Sequence, residues 1–273
     1  MKLSEIYKIA NEIAPKARSD EYCAKYGAYD NSGVLVDTGD EISSVLCSLD
    51  LSNGAIEKAI AQNARLIITH HPAIYGKIGD VCVSDALGEK LITCIKKGIS
   101  VLSMHLNLDC AVGGIDESLA QGVCIAAGRA SVDKAEQTGE TAFHHPTSQG
   151  GYGRAYAVPV TALDVFAREL QKEFSCAHIW TYGEKDKKIC RVASFCGAGV
   201  DEAAIDFAKQ QNADVIISSD FKHHQIALAL ERGLAVVIPS HYAAENYGFK
   251  KYYEKIRRRL DIPCGYHTDE ILL

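Results

Sequence analysis

The sequence lacks long hydrophobic runs and an excess of positive charge. No run of about 18 uncharged apolar residues occurs, which argues against a membrane-spanning helix. The N-terminal stretch MKLSEIYKIANEIAPKARSDEY interleaves charges with apolar residues, so the apolar block of a signal peptide is missing. A net charge of −6 disfavours non-specific binding to nucleic acid or to anionic membranes. We therefore expect a cytoplasmic protein that does not bind membranes. Nucleic acid is also disfavoured as a binding partner for it.

Paired cysteines and abundant proline are also missing. The ten cysteines are scattered singly without a C-x-x-C motif, and most lie in apolar runs such as residues 45–49. This pattern predicts buried thiols in a reducing compartment. With 6 prolines, 22 glycines and 47% hydrophobic residues in a chain of 273, the composition excludes disorder, collagen and small disulfide-dependent folds. No G-x-x-x-x-G-K-[ST] motif occurs, so a P-loop nucleotide site is excluded.

Short apolar runs alternate with segments of helical period along the chain. Examples of the runs are residues 44–49, 66–69 and 100–104, and residues 55–62 and 84–96 have the helical period between them. Strand-length runs that alternate with amphipathic helices predict an α/β fold with layered helices and sheets.

An internal repeat relates two parts of the chain. Ala55–Thr69 aligns without gaps on Ala204–Ser218, and eight of the fifteen positions are identical. Each copy is followed by a doubled histidine, a helical stretch that ends at a glycine, an apolar strand and an H-x-x-x-acid unit. The doubled histidines are His70-His71 and His223-His224, and the H-x-x-x-acid units are His105 to Asp109 and His241 to Glu245. Chance similarity of two strand-helix units is the alternative explanation.

The repeat predicts two related α/β lobes that pack with the segment between them into one cleft-forming unit. The first lobe is predicted over residues 1–131, the second over residues 189–273, and residues 132–188 connect them as a polar loop followed by strand, helix and strand. A second His-His-Pro string, His144-His145-Pro146, falls in the polar loop without a preceding strand. We interpret it as solvated.

Residues able to bind a metal ion follow the predicted strands of both lobes. His70 and His71 come where the strand at residues 66–69 ends, and ligand sites of open α/β sheets gather at such ends. His241 and Glu245 are four residues apart in a helical pattern, which places both on one helix face. Each pair taken alone also fits an ordinary polar surface.

A third group of polar side chains follows the strand at residues 100–104. His105, Asn107 and Asp109 alternate with two leucines, which predicts a strand with one polar and one apolar face. Apart from Asn107, the three groups contain six potential ligands, which is too many for one tetrahedral ion and suits two. They are His70, His71, His105, Asp109, His241 and Glu245. Two ions about 3.5 to 4 Å apart lower the pKa of a bridging water enough to activate it near neutral pH.

Six motifs occur together between about Asp30 and Leu260: DNSGVLV, LDLSNGAIEKAI, ITHHPAIYGKI, SMHLNLDCAVGGIDESLA, ADVIISSDFKHH and PSHYAAENYG. This set resembles the NIF-three-like family of dinuclear-metal proteins, whose members carry the name GTP cyclohydrolase 1 type 2. The resemblance implies a NIF-three-like fold in its short form, a ring-shaped homohexamer, and two divalent ions of Zn, Fe or Mn. The implied metal ligands are His70, His71, Asp109, His241 and Glu245. Glu245 would bridge the ions, and His105 would act beside them as a general acid or base or as a support for the ligands.

Three functions remain open at this point. A cyclohydrolase would direct activated water at C8 of GTP, and a metal-dependent phosphoesterase would direct it at phosphorus. A non-enzymatic protein would use the metals for binding or assembly only. Lys222, His223 and His224 are predicted substrate or phosphate contacts, although polar residues without a role are equally common at the start of a helix. The expected partners are a small-molecule substrate such as a nucleotide and further copies of the chain.

Overall fold

The structure is a computed structural model that describes residues 1–39, 41–131 and 141–273. Two compact units contain these residues. The first unit is Met1–Gly114 with Phe249–Ile271, and the second is Ile115–Gly248 with Leu272–Leu273. Within the three described ranges, no helix is long and apolar enough to cross a lipid bilayer.

Helices and strands alternate in both units, which confirms the predicted α/β class. The helices are α1 (Leu3–Ile13), α2 (Lys16–Tyr26), α3 (Asn53–Ala61), α4 (Ala86–Lys96), α5 (Leu106–Asp109), α6 (Ile115–Ala130), α7 (Leu163–Phe174), α8 (Glu202–Gln210), α9 (His223–Glu231), α10 (His241–Arg257) and a final 3-10 turn (Glu270–Leu272). The strands are β1 (Gly33–Val36), β2 (Val45–Ser48), β3 (Leu66–Thr69), β4 (Ser100–Ser103), β5 (Ala142–Thr147), β6 (Gly150–Ala162), β7 (Ile179–Tyr182), β8 (Lys188–Ser194), β9 (Val215–Ile217), β10 (Ala235–Pro239) and β11 (Cys264–His267).

The sheet of the first unit has the strand order β1-β4-β3-β2-β11. Strands β2, β3 and β4 are parallel and buried along their whole length, because helices cover both faces of such a sheet. The carboxyl ends of parallel strands meet at one edge of a sheet. Asp50, His70 and His105 follow these three strands within two residues, so the fold brings them to the same edge.

The sheet of the second unit has the strand order β5-β6-β8-β9-β10-β7. Strands β8, β9 and β10 are parallel, whereas β5, β6 and β7 pair antiparallel with their neighbours. Cys196 follows β8, Asp220 follows β9 and His241 follows β10. A second set of polar side chains is thereby collected at the carboxyl edge of three parallel strands.

The two repeat copies adopt the same local structure, as predicted. Both consist of a helix, a left-handed asparagine and a buried strand, with Asn63 at φ 52° and Asn212 at φ 54°. The helices also begin alike, because Ser52 accepts a hydrogen bond from the Ala55 amide and Asp201 accepts one from the Ala204 amide. Asparagine tolerates the left-handed conformation better than most residues, which explains its presence at both turns.

The doubled histidines are not equivalent, and this part of the predicted repeat is wrong. His70 and His71 follow β3 directly, whereas the residues in the matching places after β9 are Ser219 and Asp220. His223 and His224 come later and form the first turn of α9. The two histidine pairs therefore occupy different positions in the fold, although the order of features in the sequence is the same.

The unit boundaries differ from those predicted at residues 131 and 189. Helix α6 packs against α7 and β6 and belongs to the second unit. At the other end of the chain, β11 pairs with β2 and so extends the first sheet. Local sequence does not indicate which strands pair when they are more than 200 residues apart. The C-terminal residues were therefore predicted to belong to the second lobe.

The polar stretch predicted as a loop forms a β-hairpin where the structure describes it. Strands β5 and β6 pair antiparallel, with Phe143 opposite Arg154 and His145 opposite Tyr152. Residues 132–140 of the predicted connecting segment lie outside the described residues. Strand β5 is an edge strand, and edge strands commonly carry polar residues that make their composition similar to that of a loop.

The interpretation of His144-His145-Pro146 as solvated is wrong for His144. Its ring lies 5.7 Å from the ring of Phe195 and 5.2 Å from that of Phe207, measured between centroids. Burial lowers the pKa of His144 to about 4, and the neighbouring His145 adds a smaller effect in the same direction. His144 is therefore a neutral packing residue of the second sheet.

The thiols are more varied than predicted. All ten lie in the described ranges and none is in a disulfide, and those of Cys47, Cys94, Cys110, Cys176 and Cys196 are buried. Cys82, Cys124 and Cys190 are exposed, so an apolar neighbourhood in the sequence predicted burial for only part of the set.

Candidate metal centre

His70 is the most buried member of a polar cluster in the first unit. It has no exposed surface, and its Nδ1 lies 2.8 Å from the carbonyl oxygen of Met104. A carbonyl oxygen only accepts, so Nδ1 carries the proton and, in the neutral ring, Nε2 carries a lone pair. That Nε2 lies 3.5 Å from Oδ1 of Asp109. Two electron-rich atoms thus face each other at a spacing that suits a shared cation.

The other two histidines of the cluster are held by carboxylates. Nδ1 of His71 donates to Asp50 at 2.7 Å, and Nδ1 of His105 donates to Asp30 at 2.9 Å. Burial of Asp30 favours its neutral form, but hydrogen bonds from His105 and Ser32 outweigh burial and lower the pKa of this carboxyl group. Histidines that bind metals commonly donate their second ring N–H to a carboxylate or carbonyl in this way, which directs the other nitrogen at the ion.

The three imidazole rings and one carboxylate converge. Ring centroids are 5.0 Å apart for His70 and His71 and 5.2 Å apart for His70 and His105. Potential ligand atoms of His70, His105 and Asp109 all lie within 4.8 Å of one another, and those of His70 and His71 meet the same criterion. The first unit therefore contains a preformed group of nitrogen and oxygen atoms that could bind a metal ion, which we call the donor group of the first unit.

The segment from His105 to Asp109 is a helical turn, and the predicted strand is wrong. The Asp109 amide donates to the His105 carbonyl at 3.0 Å, a spacing of four residues that puts both side chains on one side of the turn. Asn107 instead donates to the Ala14 carbonyl at 2.7 Å and is not part of the group. Every residue of α5 is buried, so its two leucines mark packing on several sides and not one face of a strand.

His241 and Glu245 form a second group of potential metal-ligand atoms, in the second unit. They lie at the start of α10 as predicted, with Nε2 of His241 2.9 Å from Oε2 of Glu245. Nδ1 of His241 is 2.8 Å from Asp220, which repeats the arrangement of the first unit. Glu245 is only 3% exposed, so the pair is not the ordinary solvated pair that the sequence left open.

Several residues of these groups were missed by the sequence analysis. Asp30, Asp50 and Asp220 orient histidines, and Sγ of Cys196 lies within 4.8 Å of a carboxylate oxygen of Glu245. Asp50, Asp220 and Cys196 all follow parallel strands closely, and that position is the signal that would have found them. Asp30 precedes β1, which is antiparallel to its neighbour, and has no such signal.

The predicted substrate contacts lie at the N-terminal end of α9. Lys222, His223 and His224 are exposed at the start of α9, and none is among the potential ligand groups found in the described ranges. Their role in substrate binding stays a prediction.

Gly197 approaches the second group through its backbone. It has φ +57°, and a Cβ at this position would lie 2.5 Å from Oε1 of Glu245. We expect Gly197→Ala to displace Glu245 and reduce metal content, in addition to a strain of about 1 to 2 kcal/mol from the left-handed backbone.

Gly233→Ala is the matched control, because Gly233 has φ +80° and nothing within 4 Å of its Cβ position. Thermal unfolding and elemental analysis would be compared for the two variants. Equal metal content in both would contradict the close contact with Glu245.

Comparison with known proteins shows the family to which the chain belongs. Residues 1–267 match the sequence model of the Duf34/NIF3 (NGG1p interacting factor 3) family. A GTP cyclohydrolase 1 type 2 homolog of Clostridium perfringens is 28% identical over 264 residues, which cover 96% of this chain and 93% of the relative.

Two solved structures have the same fold. Reduced HcgD from Methanocaldococcus jannaschii matches with a TM-score of 0.76 and 26% identity, covering 97% of each chain. A Bacillus cereus protein related to NIF3 matches with a TM-score of 0.77 and 20% identity, covering 97% of this chain and 96% of the other. The chain belongs to the DUF34/NIF3 family.

Proposed function

We propose that this protein binds divalent transition metals and uses them to hydrolyse a nucleotide or a related small molecule. The observation that supports the proposal is the common anchoring of four histidines. His70, His71, His105 and His241 each have Nδ1 within 2.9 Å of a carbonyl or carboxylate oxygen. Such anchoring orders the rings before an ion arrives, and ordering of ligands in advance favours metal binding.

The proposed ligands are the five residues implied by the family resemblance: His70, His71, Asp109, His241 and Glu245. Imidazole nitrogen with carboxylate oxygen suits Zn, Fe or Mn, and two such ions are proposed, with Glu245 bridging them. Metal-replete expression, desalting and elemental analysis test this directly. Close to two ions per chain is expected, and less than one ion per chain would contradict the proposal.

The bound ions would supply Lewis acidity and lower the pKa of a water molecule. The protein's own residues would orient the reacting groups and transfer protons. His105 keeps a proton on Nδ1 through its bond to Asp30, which leaves Nε2 to exchange a proton with water or substrate. Ser32 holds the same histidine by accepting a hydrogen bond from its backbone amide at 3.1 Å. His105 is therefore proposed as the general acid or base.

His105→Ala is expected to lower kcat by roughly 10²- to 10⁴-fold while metal content is retained, because general acid or base catalysis contributes an effect of that size. Turnover and elemental analysis would be measured on the same preparation. His178→Ala is the control, since His178 is exposed on the second unit. Loss of metal from His105→Ala would contradict the assignment and make His105 a ligand, a role that its place within 4.8 Å of His70 and Asp109 also allows.

The proposed reaction is a cyclohydrolase reaction, which is supported by the name of the Clostridium perfringens relative. Opening the imidazole ring of a guanine nucleotide at C8 and releasing that carbon as formate consumes two water molecules. Formate release and the ultraviolet change of the purine would be measured beside hydrolysis of a generic phosphodiester. Activity on the diester alone would favour a phosphoesterase. Activity in neither assay, with metal bound, would favour a binding or assembly protein.

We further propose that the protein is a homohexamer, which the family resemblance implies, and that it is cytoplasmic, as its sequence led us to expect. Sedimentation velocity at micromolar concentration tests the assembly, and a monomer would contradict it.

A further inference from the structure

Two exposed tyrosines lie beside the donor group of the first unit. Tyr29 is 56% exposed and Tyr75 is 51% exposed. Their rings meet edge to face with centroids 5.4 Å apart, and the ring of Tyr75 lies 5.9 Å from that of His105. An aromatic surface thus continues from His105 toward solvent.

The tyrosines are held by the same short segment that holds His105. The Tyr75 hydroxyl donates to the Tyr29 carbonyl at 3.2 Å, and the Asn31 side chain donates to the Ile74 carbonyl at 2.6 Å. The next residues, Asp30 and Ser32, bind the side chain and the backbone amide of His105. Four consecutive residues, 29–32, therefore fix both the catalytic histidine and the aromatic pair. A surface ordered in this way loses little conformational entropy when it binds a ligand.

We propose that Tyr29 and Tyr75 form an aromatic shelf that binds a planar heteroaromatic ring of the substrate next to the metal centre. Because the two tyrosine rings are perpendicular, the substrate ring would stack on the face of one and meet the other edge to face. This inference rests on the proposed function for the identity of the neighbouring site. Stacking on an aromatic face accepts any planar ring, so the class includes purines, pterins and flavins. A small molecule fits better than a single-stranded nucleic acid, because the chain has 35 acidic against 29 basic residues.

The test compares two phosphomonoesters that carry a heteroaromatic ring with one that carries none. Metal-loaded protein would be titrated calorimetrically with guanosine 5′-monophosphate, flavin mononucleotide and ribose 5-phosphate. We expect at least one ring-containing ligand to bind more tightly than ribose 5-phosphate. Tyr75→Leu and Tyr29→Leu should weaken that ligand roughly 5- to 150-fold, the range for loss of one stacking contact. Ribose 5-phosphate affinity should not change.

Two controls separate stacking from loss of fold. Tyr75→Phe keeps the ring and should retain most of the affinity, whereas Tyr182→Leu removes an exposed tyrosine of the second unit and should have no effect. Equal binding by all three ligands, or unchanged affinity in both leucine variants, would overturn the shelf. Tighter binding of an oligonucleotide than of the mononucleotide would overturn the small-molecule assignment.

Metal content of each variant distinguishes this inference from the proposed function. If the leucine variants retain metal and lose ring binding, both proposals stand. The protein could instead bind no metal and still bind the ring-containing ligand through the two tyrosines. That result would support the shelf and refute the metal-dependent function.

Discussion

Glu245→Ala is expected to release or greatly weaken both proposed metal ions. Glu245 is 3% exposed, and its carboxylate lies 2.9 Å from Nε2 of His241. As the proposed bridge, it would contribute to both ions, whereas each of the other ligands contributes to one. Residues that only support a ligand typically change metal affinity by roughly 10- to 100-fold, so loss of a bridging carboxylate should exceed that range.

Elemental analysis after desalting and competition with a chelator would measure the effect of Glu245→Ala. Glu254→Ala is the matched control, because Glu254 lies further along α10 and pairs with the exposed Arg257 at 2.7 Å. Glu245→Gln preserves the side-chain volume and reports the loss of charge separately from any cavity. Wild-type metal content in Glu245→Ala would refute the proposed centre. Loss of one ion only would refute the bridging role.

Asp116→Ala is expected to lower the free energy of unfolding by about 3 to 5 kcal/mol, the cost of breaking a buried ion pair by removing one partner. Asp116 has no exposed surface and accepts hydrogen bonds from Arg154 Nε at 2.6 Å and from the Gly153 amide at 3.2 Å. Its removal leaves the guanidinium group of Arg154, whose side chain is 10% exposed, without its closest carboxylate.

Urea denaturation would compare Asp116→Ala with Asp164→Ala. Asp164 pairs with Arg168 at 3.0 Å, but Arg168 is exposed and Asp164 is partly exposed, and solvent-accessible pairs contribute about 1 kcal/mol or less. The two variants remove the same chemical group and differ in burial. Similar losses of stability would show that the Asp116–Arg154 pair does not stabilise the second unit.

The α/β class and much of the donor set could be predicted because their signals are local. Strands such as β3 are short continuous apolar runs, and the i,i+4 spacing of His241 and Glu245 specifies one face of a helix. The repeat was equally readable, because its two turns need the same left-handed asparagine. These features depend on a few consecutive residues and on the backbone preferences of each.

The errors arose where local periodicity was ambiguous. Alternating polar and apolar residues predicted a strand for residues 105–109, but burial of Leu106 and Leu108 is satisfied equally well by a single helical turn. In the same way, the polar composition of β5 predicted a loop, because one edge strand carries too few buried residues to show a period. Neither segment contains enough turns or strand repeats for its pattern to decide between the two structures.

The sequence by itself determined the class of fold, the repeated helix and strand, and the residue types available for metal binding. Only the tertiary structure decided which carboxylates orient the histidines and which aromatic side chains accompany them. Asp30 reaches His105 across 75 positions of the chain, and β11 pairs with β2 across more than 200. These contacts depend on the order of strands in a sheet, and strand order is set by long-range packing that no short segment encodes.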